Sequence, residues 1–268
     1  MPTLRTETIT SFADYTCLAN GLVTSPRTTM WFRGVGNASY HLTPSLFRHP
    51  SITSVKDLIE LEFDILNRFK HRSIPFQSRQ ISSDWEYLFF MQHYGVPTRL
   101  LDWSENSHVA LYFAIASAEA QRDSSGAFNS DAAVWILNPQ TWNEHVLGPA
   151  WKNRILAIPD QPLDSYKPTG DLRTLQTKPV AMAGMHNSPR IVAQRGAFTI
   201  SGSDTKPMDE IYVDAGFPDD ALIKLILPAT SLQDLQSSLF GMGYSDSMVY
   251  PDLDGLAKEI KRHFGYHI

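Results

Sequence analysis

Hydrophobic and polar positions alternate along this chain in rhythms that divide it into elements. From 51 to 73, Val55, Leu58, Ile59, Leu61, Phe63, Ile65, Leu66 and Phe69 recur at helical spacing and give a broad buried stripe. Ser54, just ahead of them, predicts an N-cap. A second helix is predicted from about Trp85 to His93. Ser83 and Glu86 have capping-box spacing there, Gly95 stands where a helix ends, and Pro97 blocks continuation. Residues 107–121, SHVALYFAIASAEAQ, predict a third helix whose Ala110, Ala114, Ala116 and Ala118 would let it approach a sheet closely. Residues 230–244 predict a helix that ends in Gly, and 254–265 a short final one.

Strands are predicted where β-branched and aromatic residues cluster: TTMWFRGV (28–35), AAVWILNP (132–139, ending at Asn-Pro), PRIVAQRGAFTISG (189–202) and ALIKLILPA (221–229). Residues 121–132 are rich in turn formers and predict an exposed break. The stretch from 148 to 188 holds many Pro, Gly and Asp residues with little periodicity, and is expected to be a long irregular insertion of the functional or mobile kind. Helices and strands mix without regular β-α-β alternation and without repeats. The predicted class is therefore α+β, a mixed, mainly antiparallel sheet core flanked by helices. Residues 1–27 are expected to be an N-terminal extension packed on a single domain of 28–268.

Composition narrows the function classes. A chain of 268 residues with 43% hydrophobic content can bury a substantial core, and 19% charged residues is too few for a disordered tail. The net charge of -5 argues against a strongly basic nucleic-acid footprint. Cys17 is the single cysteine, so an intrachain disulfide and a Cys-based zinc site are both excluded; it is expected to be a small apolar filler. The opening MPTLRTETITSFADY lacks a basic region followed by an apolar run, and no segment has the apolar length needed to span a bilayer. A cytoplasmic protein with no membrane partner is expected. The chain also lacks GxxxxGK[ST], a GxGxxG after a strand, HExxH and GxSxG, which disfavours several nucleotide and hydrolase chemistries.

Three polar clusters remain. Arg33 followed by Gly34 late in a strand suits an anion gripped where the backbone comes close, although an edge-strand Arg paired with a carboxylate reads the same way. In the loop QHYGVPTRLLDWSENS (92–107), Gly95 and Pro97 fix the backbone while Gln92, His93, Thr98, Arg99, Asp102 and Ser104 supply donors and acceptors. Arg99 and Asp102 would pair in a structural reading. Ser104 would either cap the 107–121 helix or bind a ligand hydroxyl, and Trp103 would be either core or a stacking surface. No second His stands at metal-ligand spacing from His93, so no metal is expected. The third cluster is Gln194, Arg195 and Gly196, where the Gln194 amide would bond across a sheet or hold a ribose hydroxyl. The acidic residues of MDEIYVD (208–214) read as a solvated edge.

FRG at 32–34, QHYGVPTRLLDWSENSHVALYFA at 92–114, RIVAQRGAFTISG at 190–202 and YPDLDGLAKEI at 250–260 resemble the FRG domain family, named for its Phe-Arg-Gly triplet. A weaker resemblance is to the ADP-ribosyltransferase-like superfamily, in the order of an aromatic-Arg-Gly strand, a Ser-containing motif leading into VALYFA, and a later polar strand. That resemblance implies an ADP-ribosyltransferase-like fold with NAD as substrate. Arg33 would grip the phosphate or ribose, Ser104 would orient the nicotinamide ribose, and Gln194 would stand where an acidic residue is usual. Gly34, His93, Tyr94, Thr98, Arg99 and Trp103 would complete the NAD contacts. An amide neutralises no cation and cannot be a general base. Another carboxylate would therefore have to serve, with Asp102 preferred over Glu86 and Glu210. The implied function is NAD binding, with ADP-ribose transfer to an unnamed acceptor as a further step. It suits a toxin or phage-defence effector with an antitoxin or regulatory protein as partner. The alternative is a non-catalytic module that recognises a nucleotide or nucleic acid.

Overall fold

Polar edges and apolar centres assemble around one seven-stranded sheet. A computed structural model describes residues 3–23, 28–77, 80–123, 126–185 and 189–266. Residues 1–2 and 24–27 of the expected extension, 124–125 of the 121–132 break and 186–188 of the expected insertion lie outside the described residues. In chain order the elements are β1 (Arg5–Thr8), α1 (Phe12–Leu22), β2 (Trp31–Val35), α2 (Val55–Ser73), α3 (Asp84–His93), β3 (Leu100–Ser104), α4 (Ser107–Glu119), β4 (Ala132–Leu137) and α5 (Pro139–Leu147). They continue with β5 (Val180–Ala183), α6 (Pro189–Gln194), β6 (Gly196–Ile200), α7 (Met208–Asp214), β7 (Leu222–Leu227), α8 (Leu232–Gly241), α9 (Asp246–Val249) and α10 (Leu253–His263).

The strand order is β1-β7-β4-β2-β3-β6-β5, antiparallel throughout except for the parallel β1–β7 pair. The mixed, mainly antiparallel sheet flanked by helices is therefore the observed architecture. Its strands carry different side chains on their two faces. Phe32, Val134 and Leu225 join the core that α1, α4 and α8 cover. Trp31, Trp103 and Trp135 join a second core with Trp142 of α5 and Tyr212 of α7. A third core, under α3, holds Leu100, Met182 and Phe198 together with Leu163 and Tyr166.

Several expectations change. β1 and α1 lie in the stretch expected to be an extension, and β1 extends the sheet by pairing with β7. Within the 148–188 stretch, short 3-10 turns precede a regular strand, β5, that pairs with β6, and Tyr166 is fully buried. The 189–202 stretch is not one strand. Pro189 opens a helical turn that runs to Gln194, Arg195 takes the left-handed conformation (φ 46°), and the strand starts at Gly196. The MDEIYVD stretch is a helix, α7, and not a solvated edge. Met208, Ile211 and Tyr212 are buried, and the Asp209 carboxylate accepts the Leu42 amide at 2.8 Å. Cys17 is exposed on α1 and fills no core.

The glycine of the FRG triplet is fixed by packing. α4 crosses β2 so closely that a Cβ on Gly34 would lie 1.9 Å from the Ala110 carbonyl oxygen and 2.4 Å from the Ala114 amide nitrogen. A Cβ on Gly36 would meet Ser117 just as closely, at 2.4 Å. The small residues of α4 and the glycines beside β2 are one device, and it sets the helix at the edge of the cleft described next.

Candidate functional site

β2 and β3 are neighbours that barely pair. Phe32 and Ser104 are their one register pair, whereas β2 and β4 share five pairs and so do β3 and β6. Past Phe32 the two strands separate, and a cleft opens in the split. Its cavity is about 250 Å³, just under the roughly 300–1,000 Å³ usual for ligand pockets. Phe32, Phe89, Phe113 and Phe198 supply its aromatic wall. The Phe89 and Phe198 rings lie 4.8 Å apart.

Arg33 sits in the split. Its guanidinium donates to the Asp102 main-chain carbonyl at 2.7 Å and lies 3.9 Å from the Asp102 carboxylate. Burial lowers its proton affinity from the ordinary arginine value; nearby Asp102 opposes that shift and Arg48 adds to it. An arginine stays charged through such a shift, so the split holds a fixed cation whose carboxylate partner is at long range. Arg190, from α6, lines the same cleft with its guanidinium over the Tyr250 ring at 4.6 Å. The Arg33–Asp102 pairing also matches the plain reading of a strand arginine beside a carboxylate.

Asp102 is the carboxylate among the lining residues, and its side chain is about half exposed. The Gln92 amide donates to it at 2.8 Å, while the Thr98 hydroxyl donates to the Gln92 oxygen and fixes which end of the amide faces Asp102. His93 stands beside them with its pKa lowered, first by burial and then by Arg190, against the opposing pull of Asp102 and Asp252. At neutral pH this leaves a neutral imidazole, which can accept a proton.

The structure gathers most of the expected residues and disperses the rest. Arg33, Gly34, His93, Asp102, Trp103, Ser104 and Gln194 all line the cleft. Ser104 and Gln194, however, have partners in the protein. The Ser104 hydroxyl donates to the Gln194 carbonyl at 2.6 Å and accepts the Asn106 amide at 2.9 Å. The Gln194 amide donates to the Val249 carbonyl at 3.1 Å. Ser104 does not cap α4; the Asn106 side chain does, by accepting the His108 and Val109 amides. The Trp103 indole is core, with its N–H on the Thr199 hydroxyl at 3.0 Å.

Tyr94, Thr98 and Arg99 do not line this cleft. Tyr94 faces a separate groove with Phe69, Phe76 and Phe90, and Thr98 is buried behind Gln92. Arg99 is fully buried and its ion pair is with Glu62 at 2.7 Å, not with Asp102. It also donates to the Ser201 and Tyr166 carbonyls, each at 2.7 Å. The expected Arg99–Asp102 pair fails because Arg99 precedes β3 and points into the protein beneath α2. Of the alternative carboxylates, Glu86 is buried beside Ser82 and Glu210 is exposed on α7, so neither reaches the cleft.

Arg190, Phe89 and Phe198 belong to the site without having been singled out. Arg190 stood within the quoted 190–202 stretch, but reading that stretch as a strand hid its position on a helical turn. Among the described residues no group of three or more His, Cys, Asp or Glu side chains could hold a metal ion. No helix among them is long and apolar enough to cross a membrane.

Comparison with known proteins gives one match. The model of the FRG domain family covers residues 28–123, which include β2, α2, α3, β3 and α4. No curated protein and no solved structure matches the chain. The matched span supplies Arg33, Gly34, Gln92, His93, Asp102 and Ser104, while Arg190 and Gln194 come from beyond it. Across residues 28–123, therefore, this chain is similar to the FRG domain family.

Proposed function

We infer that the cleft in the split sheet binds NAD as a substrate and that the domain is ADP-ribosyltransferase-like. The observation that carries this reading is the convergence of Arg33 and Arg190 on one aromatic-walled cleft whose carboxylate is Asp102. Two guanidinium groups beside stacking surfaces suit a phosphorylated, flat-ringed ligand. The enclosed space fits one end of a dinucleotide, with the remainder lying across the open mouth.

Breaking the bond between nicotinamide and the anomeric ribose carbon leaves the electron pair on nicotinamide and develops positive charge on the sugar. Asp102 would stabilise that charge, and its orientation by Gln92 prepares it to do so. An acceptor nucleophile then bonds to the same carbon and gives up a proton, which neutral His93 would take. Ser104 and Gln194 are positioning residues in this reading. Their hydrogen bonds tie β3 to α6 and α6 to the last residue of α9, which holds Arg190 at the cleft.

The same two bonds favour a second reading, a module that binds a nucleotide and transfers nothing, since neither polar group is held open for a ribose. One assay separates the two: nicotinamide release from NAD by the wild type, Arg33→Ala and Asp102→Asn, with cell lysate as the source of acceptor. The enzyme reading expects release that drops about 100-fold or more in either variant. Release by neither wild type nor variants, with a thermal shift on adding NAD, would leave a binding module. Neither release nor shift would overturn both.

A further inference from the structure

α10 is fastened to the protein by one face and bare on the other. On the fastened face, a Cβ on Gly255 would fall 2.0 Å from the Tyr250 carbonyl oxygen, so the helix backbone lies directly against the turn before it. Arg262 donates to Asp246 at 2.9 Å and to both Glu119 oxygens at 2.8 and 2.9 Å, which ties α10 to α9 and α4. Glu259 accepts the Ser247 amide at 3.1 Å. The helix is therefore a firmly held element and not a loose end.

The opposite face is apolar and open. Leu253, Leu256, Ile260 and Phe264 are 82%, 44%, 50% and 70% exposed. Their spacing of three, four and four residues places them in one continuous stripe along the helix. Scattered surface apolar residues need no explanation, but a contiguous stripe on a rigid helix marks an interaction surface. The charges beside it identify the occupant. Asp254 and Lys261 lie seven residues apart and so share one edge of the stripe, the acid near the helix start and the base near its end.

We propose that this stripe is a homodimer interface in which α10 packs antiparallel against α10 of a second copy of the chain. In antiparallel packing the matching edges of two helices face each other. The register that sets Leu256 against Ile260 of the second copy also sets Leu253 against its Phe264. It brings Asp254 opposite Lys261 twice, once on each side of the two-fold axis. A parallel pair would not bring these two residues together. The interface lies near the cleft, because the Tyr250 ring carries both Arg190 of the cleft, at 4.6 Å, and Lys258 of α10, at 4.9 Å. The proposal does not depend on what the cleft binds.

Sedimentation velocity of the full chain across micromolar concentrations tests it, with Ile260→Asp, Asp254→Lys, Lys261→Asp and the doubly swapped chain alongside. The expected result is a concentration-dependent dimer. Ile260→Asp should weaken it about tenfold or more, since a charge would be buried in the seam. Each single charge change should also weaken it, and the double swap should restore it. Unchanged thermal melts would show that the variants fold. A wild type that stays monomeric overturns the proposal, and if that monomer cosediments with vesicles of phosphatidylcholine and phosphatidylserine, the stripe belongs to a membrane surface. A dimer indifferent to Ile260→Asp, or not restored by the double swap, overturns it as well.

Discussion

Removing the Arg99 side chain should be among the most damaging single changes available in this protein. Arg99 and Glu62 are both fully buried, and the arginine makes three side-chain hydrogen bonds: to Glu62, to the Ser201 carbonyl and to the Tyr166 carbonyl. Arg99→Met keeps most of the apolar stem and strands three acceptors. The two carbonyls would cost roughly 1–3 kcal/mol each if left without donors. Glu62, left as a buried charge without its partner, adds about 3–5 kcal/mol on its own. These contributions share atoms and do not sum fully, so the expected loss is about 4–6 kcal/mol, a large part of a typical domain's stability. Urea melts of the wild type, Arg99→Met, Glu62→Leu and the double variant read it. The double variant should lose less than the two singles combined, because neither charge is then left alone. A loss under about 1.5 kcal/mol in Arg99→Met, or strictly additive singles, would refute the claim that this pair locks β3 to α2.

Other consequences follow from the same geometry. Gly34→Ala should cost about 3 kcal/mol or more in a urea melt, because its new methyl would strike the α4 backbone. Gly95→Ala meets open space and a φ of 72°, so it should cost only about 1 kcal/mol. His93 and His108 are both held below the ordinary histidine value, with burial the largest cause, so the folded protein binds fewer protons than the unfolded chain between those lowered values and about 6.5. Stability should therefore fall as pH drops through that window, and denaturation midpoints of His93→Gln and His108→Gln should depend less on pH there. Arg262→Met strands the buried Asp246 and should cost about 3 kcal/mol, with limited proteolysis showing α10 cut first.

What was legible in the sequence had a local cause. α2 and α3 were marked by the serine caps that the structure shows at Ser54 and Ser83, and α4 by the alanines that meet Gly34. β1 was hidden because Arg-Thr-Glu-Thr has no apolar alternation; it is a strand only by virtue of pairing with β7, more than 200 residues away. β3 was hidden by its polar neighbours, since a five-residue strand carrying Asp102 and Ser104 reads like a loop. α6 was mistaken for strand because its apolar residues continue into β6, and the break is a single left-handed residue, Arg195. At the site, the residue types were visible but their allegiances were not. Whether Arg99 would choose Asp102 or Glu62 depended on where α2 would lie. Whether Ser104 would face a ligand or the Gln194 carbonyl depended on α6.

In the proposed function, Arg33 makes the split sheet an anion-binding cleft suited to NAD. Isothermal titration of NAD into the wild type, Arg33→Ala and, as a control outside the cleft, Arg173→Ala tests it most directly. Arg173 lies on the exposed 3-10 turn at 172–174, paired with Asp171. The expected result is saturable binding by the wild type and the control, weakened about tenfold or more in Arg33→Ala, as the loss of one charge-assisted contact predicts. Equal affinity in all three proteins, or no binding by a wild type that melts cooperatively, would contradict it.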